Sequence, residues 1–375
     1  MHDAFPTKEM SKMHFDVIIG NPPYQTGDGK TSESPLYHLF IEKAIALNPK
    51  YVAMIVPSRW FTGGKVILDT FRQRMINDRR LRAIVDNPKL FDCFPGVEIK
   101  GGVNYFLWDR DYDGDCEFST RIDGEIISTI RRDLRDGDGV VVRDNKASNI
   151  IAKCRPKSQQ ESVASWCSSQ FPFGQSITTN FAGAKAEPFD GSIPLLFGSH
   201  VGYVDRSQIE KNLAWVDKWK VLVPVGGDGH GREVSYVIGE PIALAPGSAC
   251  TQTFLVAGIF DSAQEAQNFA LYLSSKLVRF LILQRKSTQH VKPDKLLFVP
   301  ILDFKRDWTD EDLYALFKLS PDEVAYIEKS IHSREAILSL ESCIPQAFLP
   351  GGHKYRAPGE FSDAEGDVSA EEDES

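Results

Sequence analysis

One short stretch limits what this chain can become: the run Phe15-Asp16-Val17-Ile18-Ile19, closed by Gly20-Asn21-Pro22-Pro23-Tyr24. The run reads as a buried parallel strand. Neither proline donates to a sheet ladder, and the first forces Asn21 into an extended backbone. The strand therefore ends abruptly in a rigid loop at its carboxyl end, where open α/β sheets place their ligands.

The chemistry suited to such a loop is methylation of an exocyclic amine. An adenine amino group is conjugated into its ring and is a poor nucleophile. The Asn21 side-chain oxygen and the Pro22 carbonyl offer one acceptor to each N–H, which holds the amine in line and pushes electron density onto nitrogen. Tyr24 offers a flat face for the base. The base must first leave the duplex at a cost of roughly a few kcal/mol, which stacking and these hydrogen bonds offset.

Asn-Pro-Pro-Tyr after an apolar strand resembles motif IV of the N6-adenine DNA methyltransferases, in a type II, type IIG-like restriction–modification methylase. The following segments fit that resemblance in order. Pro35–Asn48 has a helical stripe of Leu36, Leu39, Phe40, Ala44 and Leu47. Tyr51–Val56 reads as a strand ending at Pro57-Ser58-Arg59-Trp60-Phe61, Val66–Arg79 as a helix and Leu81–Val85 as a strand. Val103–Trp108 and Asp115–Ser119 read as a closing strand pair. The resemblance implies that Asn21, Pro22, Pro23 and Tyr24 are catalytic, that Phe94 joins Tyr24 in sandwiching the flipped base, and that the cofactor is S-adenosylmethionine.

In methyltransferases ordered this way, the glycine-rich cofactor loop lies upstream and its βα units take about 100 residues. Only 14 residues precede Phe15 here. The expectation is the second half of a Rossmann-like methyltransferase sheet, with the cofactor-binding half absent and its residues unknown. A permuted loop at Gly226-Gly227-Asp228-Gly229-His230-Gly231 is disfavoured, because an alternating, strand-like segment follows where a helix N-terminus is needed. Asp86 with Glu98-Ile99-Lys100 resembles a nuclease metal site only loosely, and no metal is assigned.

The second part changes texture. Residues 121–155 are a charged connector, expected to hold a helix near Arg131–Gly139 and a short strand at Val140–Val142. From 156 to 305, strand-like pieces such as Ile193–Phe197 and Lys220–Val223 precede a long helix, Ser262–Arg285. This block resembles a mixed α+β target-recognition domain, with short stretches such as Pro246-Gly247-Ser248-Ala249-Cys250 supporting it. Arg279, Arg285, Lys286, Gln289 and Lys292, with Thr288 and His290 among them, form a cluster suited to base edges and phosphates. Residues 306–345 are buttressing helices capped by Thr309 and Ser320, and 346–375 an acidic, disordered tail. The 1–120 region is the partial catalytic domain.

Charge matters here because the net value of −9 looks wrong for a DNA binder. From Gly351 to Ser375 there are eight acids and two bases, so the rest of the chain carries −3 and has room for local basic faces. Six scattered cysteines read as reduced thiols, and no apolar run nears the ~20 residues that span a bilayer. A cytoplasmic protein is expected, with double-stranded DNA as partner and a separate chain supplying the cofactor half. The alternative is a truncated or split subunit acting only as a DNA-specificity module.

Overall fold

The computed structural model describes residues 14–25, 34–62, 66–89, 93–94, 99, 101–198, 200–227, 236–286 and 290–333. Its first layer is a six-stranded mixed sheet in the order β1-β2-β4-β3-β5-β6. The strands are β1 (Val17–Gly20), β2 (Tyr51–Pro57), β3 (Leu81–Asn87), β4 (Val103–Asp109), β5 (Cys116–Ile122) and β6 (Glu125–Arg132). β1 runs parallel to β2, and β3 parallel to β5, while β4 is antiparallel to both β2 and β3. Helices α1 (Tyr37–Ala46) and α2 (Val66–Asn77) make the crossovers.

Strand alternation decides the core. On one face Val52, Met54, Val56, Ile84, Phe106, Trp108 and Phe118 point to one side and pack under Tyr37, Ile41 and Ala44 of α1 and Leu68, Phe71 and Met75 of α2. Each such side chain contributes roughly 1.5–3 kcal/mol when fully withdrawn from water. Both helices lie on this face because successive right-handed crossovers step across the sheet in one direction.

Three expectations are corrected. β1 is parallel but not buried: it is an edge strand, with Val17 48% and Ile19 79% exposed. The sheet does not stop near 120, since β6 pairs with β5 through Arg132. Val140–Val142 form no strand, and the segment near Arg131–Gly139 yields only a 3-10 turn at Leu134–Gly137. These valines instead divide between two cores, Val141 joining the first and Val140 and Val142 the second. The connector is thus a shared wall, continued by α3 (Asn145–Cys154).

The second part holds two three-stranded sheets. β7 (Ser192–Leu196) lies between β8 (Val201–Asp205) and β11 (Ala249–Cys250). β9 (Trp219–Pro224), preceded by the short α4 (Leu213–Val216), lies between β10 (Ile242–Leu244) and β12 (Phe254–Phe260), antiparallel to both. The expected long helix is broken into α5 (Ala263–Ser274) and α6 (Lys276–Leu283). Ser275 is extended there and its hydroxyl caps the Val278 N–H, while Asp310 accepts from the N–H groups of Lys276 and Leu277. A fresh helix start is therefore fully capped. α7 (Asp310–Leu316) and α8 (Pro321–Ser330) begin with capping boxes at Thr309 and Ser320 as expected. Residues 346–375 lie outside the described residues.

Candidate functional site

Asn21 follows directly on β1, whose last residue Gly20 lies opposite Met54 of β2. Its side chain is exposed, Pro22 beside it is buried and Tyr24 is half-buried. The loop is fixed from the far side, where the Leu36 N–H donates to the Tyr24 carbonyl at 3.1 Å and Gln25 bridges Pro35. The proline after it holds the Asn21 backbone extended, so the exposed amide is carried on a stiff loop. Burial, with a smaller contribution from the nearby Cys93 thiol, pushes the Tyr24 phenol up to about 12, so it stays neutral. Its hydroxyl is covered and has no hydrogen-bond partner among the described residues. Phe94, the other expected stacking residue, is half-buried.

A polar network missed by sequence reasoning underlies this end of the sheet. Asp86, fully buried near the end of β3, accepts from Ser58 Oγ at 2.8 Å and from two nitrogens of Arg143 at 2.7 and 2.8 Å. Arg143 also donates to the Gly101 carbonyl at 2.8 Å, and Asn104 Nδ2 to Ser58 Oγ at 3.2 Å. The bidentate pair ties the connector to the carboxyl ends of β2 and β3. The turn beside it requires glycine at 102, where φ is +73° and a Cβ would stand 2.1 Å from the Asn87 carbonyl oxygen. Polar residues just at strand ends were the available signal for Ser58 and Asp86. Nothing in the sequence pairs them with Arg143.

Asp86 is thus committed to Arg143, while Glu98 and Lys100 lie outside the described residues. Among the described residues no group of three or more His, Cys, Asp or Glu is placed to hold a metal.

The expected DNA-contacting cluster is largely corrected. Arg279 is 1% exposed and donates to the Ser274 carbonyl at 2.8 Å. Arg285 is buried, bonded to the carbonyls of Asp294, Gly137 and Asp138 and lying over the Phe298 ring. Burial brings its pKa down to about 10. Lys286 is buried and donates to the Val237 carbonyl. Arg285 faces inward because the turn after α6 packs against the connector, where the carbonyls of Gly137 and Asp138 accept from it. Lys292 is exposed, and Gln289 lies outside the described residues.

Among the described residues, the glycine-rich run after β9 is not placed as an S-adenosylmethionine loop would be. β9 leads into Gly226-Gly227, but it is antiparallel on both sides and the next described element is the strand β10. Among the described residues no glycine-rich turn joins a parallel strand to a helix N-terminus. Nor is any described helix long and apolar enough to cross a membrane. Cys116, Cys154, Cys167 and Cys250 are free thiols, and Cys116, Cys154 and Cys250 are buried, their thiols pushed up to about 12 by desolvation.

Residues 1–94 match the family model of the Eco57I restriction-modification methylase. A 113-residue stretch is 40% identical to an uncharacterized adenine-specific methylase of Mycoplasma pneumoniae, covering 29% of this chain and 27% of that protein. Two solved structures are also similar. The type IIG restriction endonuclease BpuSI matches at 12% identity and a TM-score of 0.36, over 83% of this chain and 50% of its own. The type IIL restriction-modification enzyme MmeI, solved in complex with DNA, matches at 12% identity and a TM-score of 0.41, over 84% and 53%. The chain thus spans about half the length of these enzymes, and its match about a quarter of the curated relative. The similarity to the Eco57I restriction-modification methylase family model thus lies in the first 94 residues.

Proposed function

We propose that residues 15–132 are the target-base half of an adenine-specific DNA methyltransferase, equivalent to the second half of its Rossmann-like sheet. Residues 156–305 serve as the target-recognition domain on double-stranded DNA. The observation that carries this reading is the exposed Asn21 amide, held by a buried Pro22 at the carboxyl end of a parallel strand, with the half-buried Tyr24 ring behind it. Asn21 Oδ1 and the Pro22 carbonyl accept the two N–H bonds of the adenine amine. Accepting both orients the nitrogen lone pair and raises its electron density. Pro23 keeps the loop rigid, and Tyr24, with Phe94 opposite, stacks the extruded base, at about 1–3 kcal/mol per stacked base. S-adenosylmethionine supplies the methyl group when bound to the complete enzyme. The Ser58–Asp86–Arg143 network holds the floor of the site rigid. Lys292 sits on phosphate.

The test is made in the host cell, so that any partner is present. Deleting the gene should erase N6-methyladenine from one sequence motif across the genome. The wild-type gene should restore it, while Asn21→Ala, folded to the same level, should not. Methylation unchanged by the deletion would overturn the reading. Restoration by Asn21→Ala would leave a DNA-specificity module in which the loop does no chemistry.

A further inference from the structure

At the carboxyl ends of the first sheet one positive charge is left uncompensated. Among the described residues, every arginine but Arg59 donates to an acceptor within the protein. Carboxylates take most of them, and amide, hydroxyl or carbonyl oxygens take the rest. Arg59 is exposed and makes no hydrogen bond or ion pair among the described residues. The carboxylate bonded to its neighbour Ser58 is already committed. Both oxygens of Asp86 accept from Arg143, at 2.7 and 2.8 Å, and one of them also from Ser58 Oγ. That pair is neutral as a whole, so nothing in it offsets the Arg59 guanidinium.

The base of this arm is fixed. Arg59 lies in the 3-10 turn Ser58–Phe61 at the end of β2, where Ser58, Trp60 and Phe61 are all buried. The Ser58 N–H donates to the Gly102 carbonyl at 2.9 Å, and the Phe61 carbonyl accepts from the Val141 N–H at 2.7 Å. A turn this tight, with three of its side chains held inward, sends Arg59 out. Its surroundings are fixed too. β2 lies between β1 and β4. Gly20, just before Asn21, pairs with Met54, and Arg59 comes five residues after Met54. On the other side the Arg59 stem passes Gly101, where a Cβ would stand 3.7 Å from its Cγ. Toward α1 its charge bears on the Tyr37 phenol, opposing part of the rise that burial imposes there. Arg59 thus stands between the Asn21–Tyr24 loop and the Gly101-Gly102 turn that opens β4.

We propose that Arg59 grips a backbone phosphate of the extruded target nucleotide, so that the nucleotide is held at two points, its amine by Asn21 and its phosphate by Arg59. This rests on the methyltransferase reading of the Asn21 loop. Extrusion turns the target nucleotide about its backbone and brings its flanking phosphates to the mouth of the pocket. A phosphodiester offers two oxygens that match the guanidinium fork, and an arginine with no acceptor of its own gives up none to bind it. Such a contact carries no sequence information; it fixes the register of the strand so that the right base enters. The acceptors on Asn21 then select adenine among the bases that enter.

The test uses the full chain purified from its own host with whatever accompanies it, and a duplex that it selects from a random pool. The extruded base is located by placing 2-aminopurine at each adenine in turn, since its fluorescence rises when it leaves the stack. Binding is then measured with one phosphate at a time made neutral as a methylphosphonate. Neutralising a phosphate next to the extruded base should weaken wild-type binding about tenfold. Arg59→Gln should bind the native duplex about tenfold more weakly, with a salt slope shallower by about one, and should lose nothing further at that phosphate. Arg59→Lys should recover part of both, and all three proteins should melt at the same temperature. Equal penalties in wild type and Arg59→Gln at every phosphate, an unchanged slope, or a coupled phosphate remote from the extruded base would each overturn the proposal. So would selection of no duplex, or a loss confined to S-adenosylmethionine binding, which would give Arg59 to the cofactor's carboxylate. Extrusion coupled to Arg59 without methylation in the host would fail the methyltransferase reading alone. Methylation with no phosphate coupled to Arg59 would fail this proposal alone.

Discussion

β1 and β9 read almost alike and meet opposite fates. Each is a short run of valine, isoleucine or leucine ended by proline, the first at Asn21-Pro22-Pro23 and the second at Pro224. β1 lies at a sheet edge with Ile19 among the most exposed apolar side chains described. β9 lies at a sheet centre, sending Val221 and Val223 into one core and Leu222 into another. Even Lys220 within it is fully covered. An apolar run tells that a strand wants burial; its neighbours decide whether burial is delivered.

The comparison is sharpened most by truncating the covered strand. Leu222→Ala should cost about 3–4 kcal/mol in denaturant unfolding, because neither core can collapse onto the gap. A loss below about 1 kcal/mol would mean that β9 is not a wall between two cores. The next effect depends on pH. Lys220 donates to the carbonyls of Val216 and Ala245 and to Ser248 Oγ, yet desolvation brings its pKa from 10.5 down to about 8. Below about pH 8 both states hold the proton and the folded one carries the full burial cost. Between pH 8 and 10.5 the unfolded chain binds more protons, so stability rises with pH there. That group alone should contribute about 3 kcal/mol of rise. In Lys220→Met the rise should flatten by this amount, and parallel pH profiles for the two proteins would refute it.

What the sequence made legible follows the same division. Local chemistry was readable: the Asn-Pro-Pro-Tyr stop, the crossover helices and the caps at Thr309 and Ser320 are each written within a few residues. Cover was not readable. Arg279, Arg285 and Lys286 looked like a basic surface because charge normally stays wet, and only the packing of the α6 turn against Gly137 and Asp138 shows that interior carbonyls claim Arg285. The Asp86–Arg143 pair joins residues 57 apart and leaves no periodic trace. The break at Ser275 depends on Asp310, 34 positions after the Lys276 it caps.

The smallest expected effect is the one most particular to β1. In the isolated chain Ile19→Ser removes an apolar side chain that is already mostly in water, so unfolding free energy should change by no more than about 0.5 kcal/mol. The equivalent truncation on the closed face, Ile84→Ala, should cost several-fold more, since Ile84 is fully buried under α2 and its neighbours. Measuring both in the same denaturant series separates two accounts of β1. If Ile19→Ser costs as much as Ile84→Ala, the edge is already covered in solution. If it costs almost nothing, the apolar character of position 19 does nothing for the fold of this chain alone.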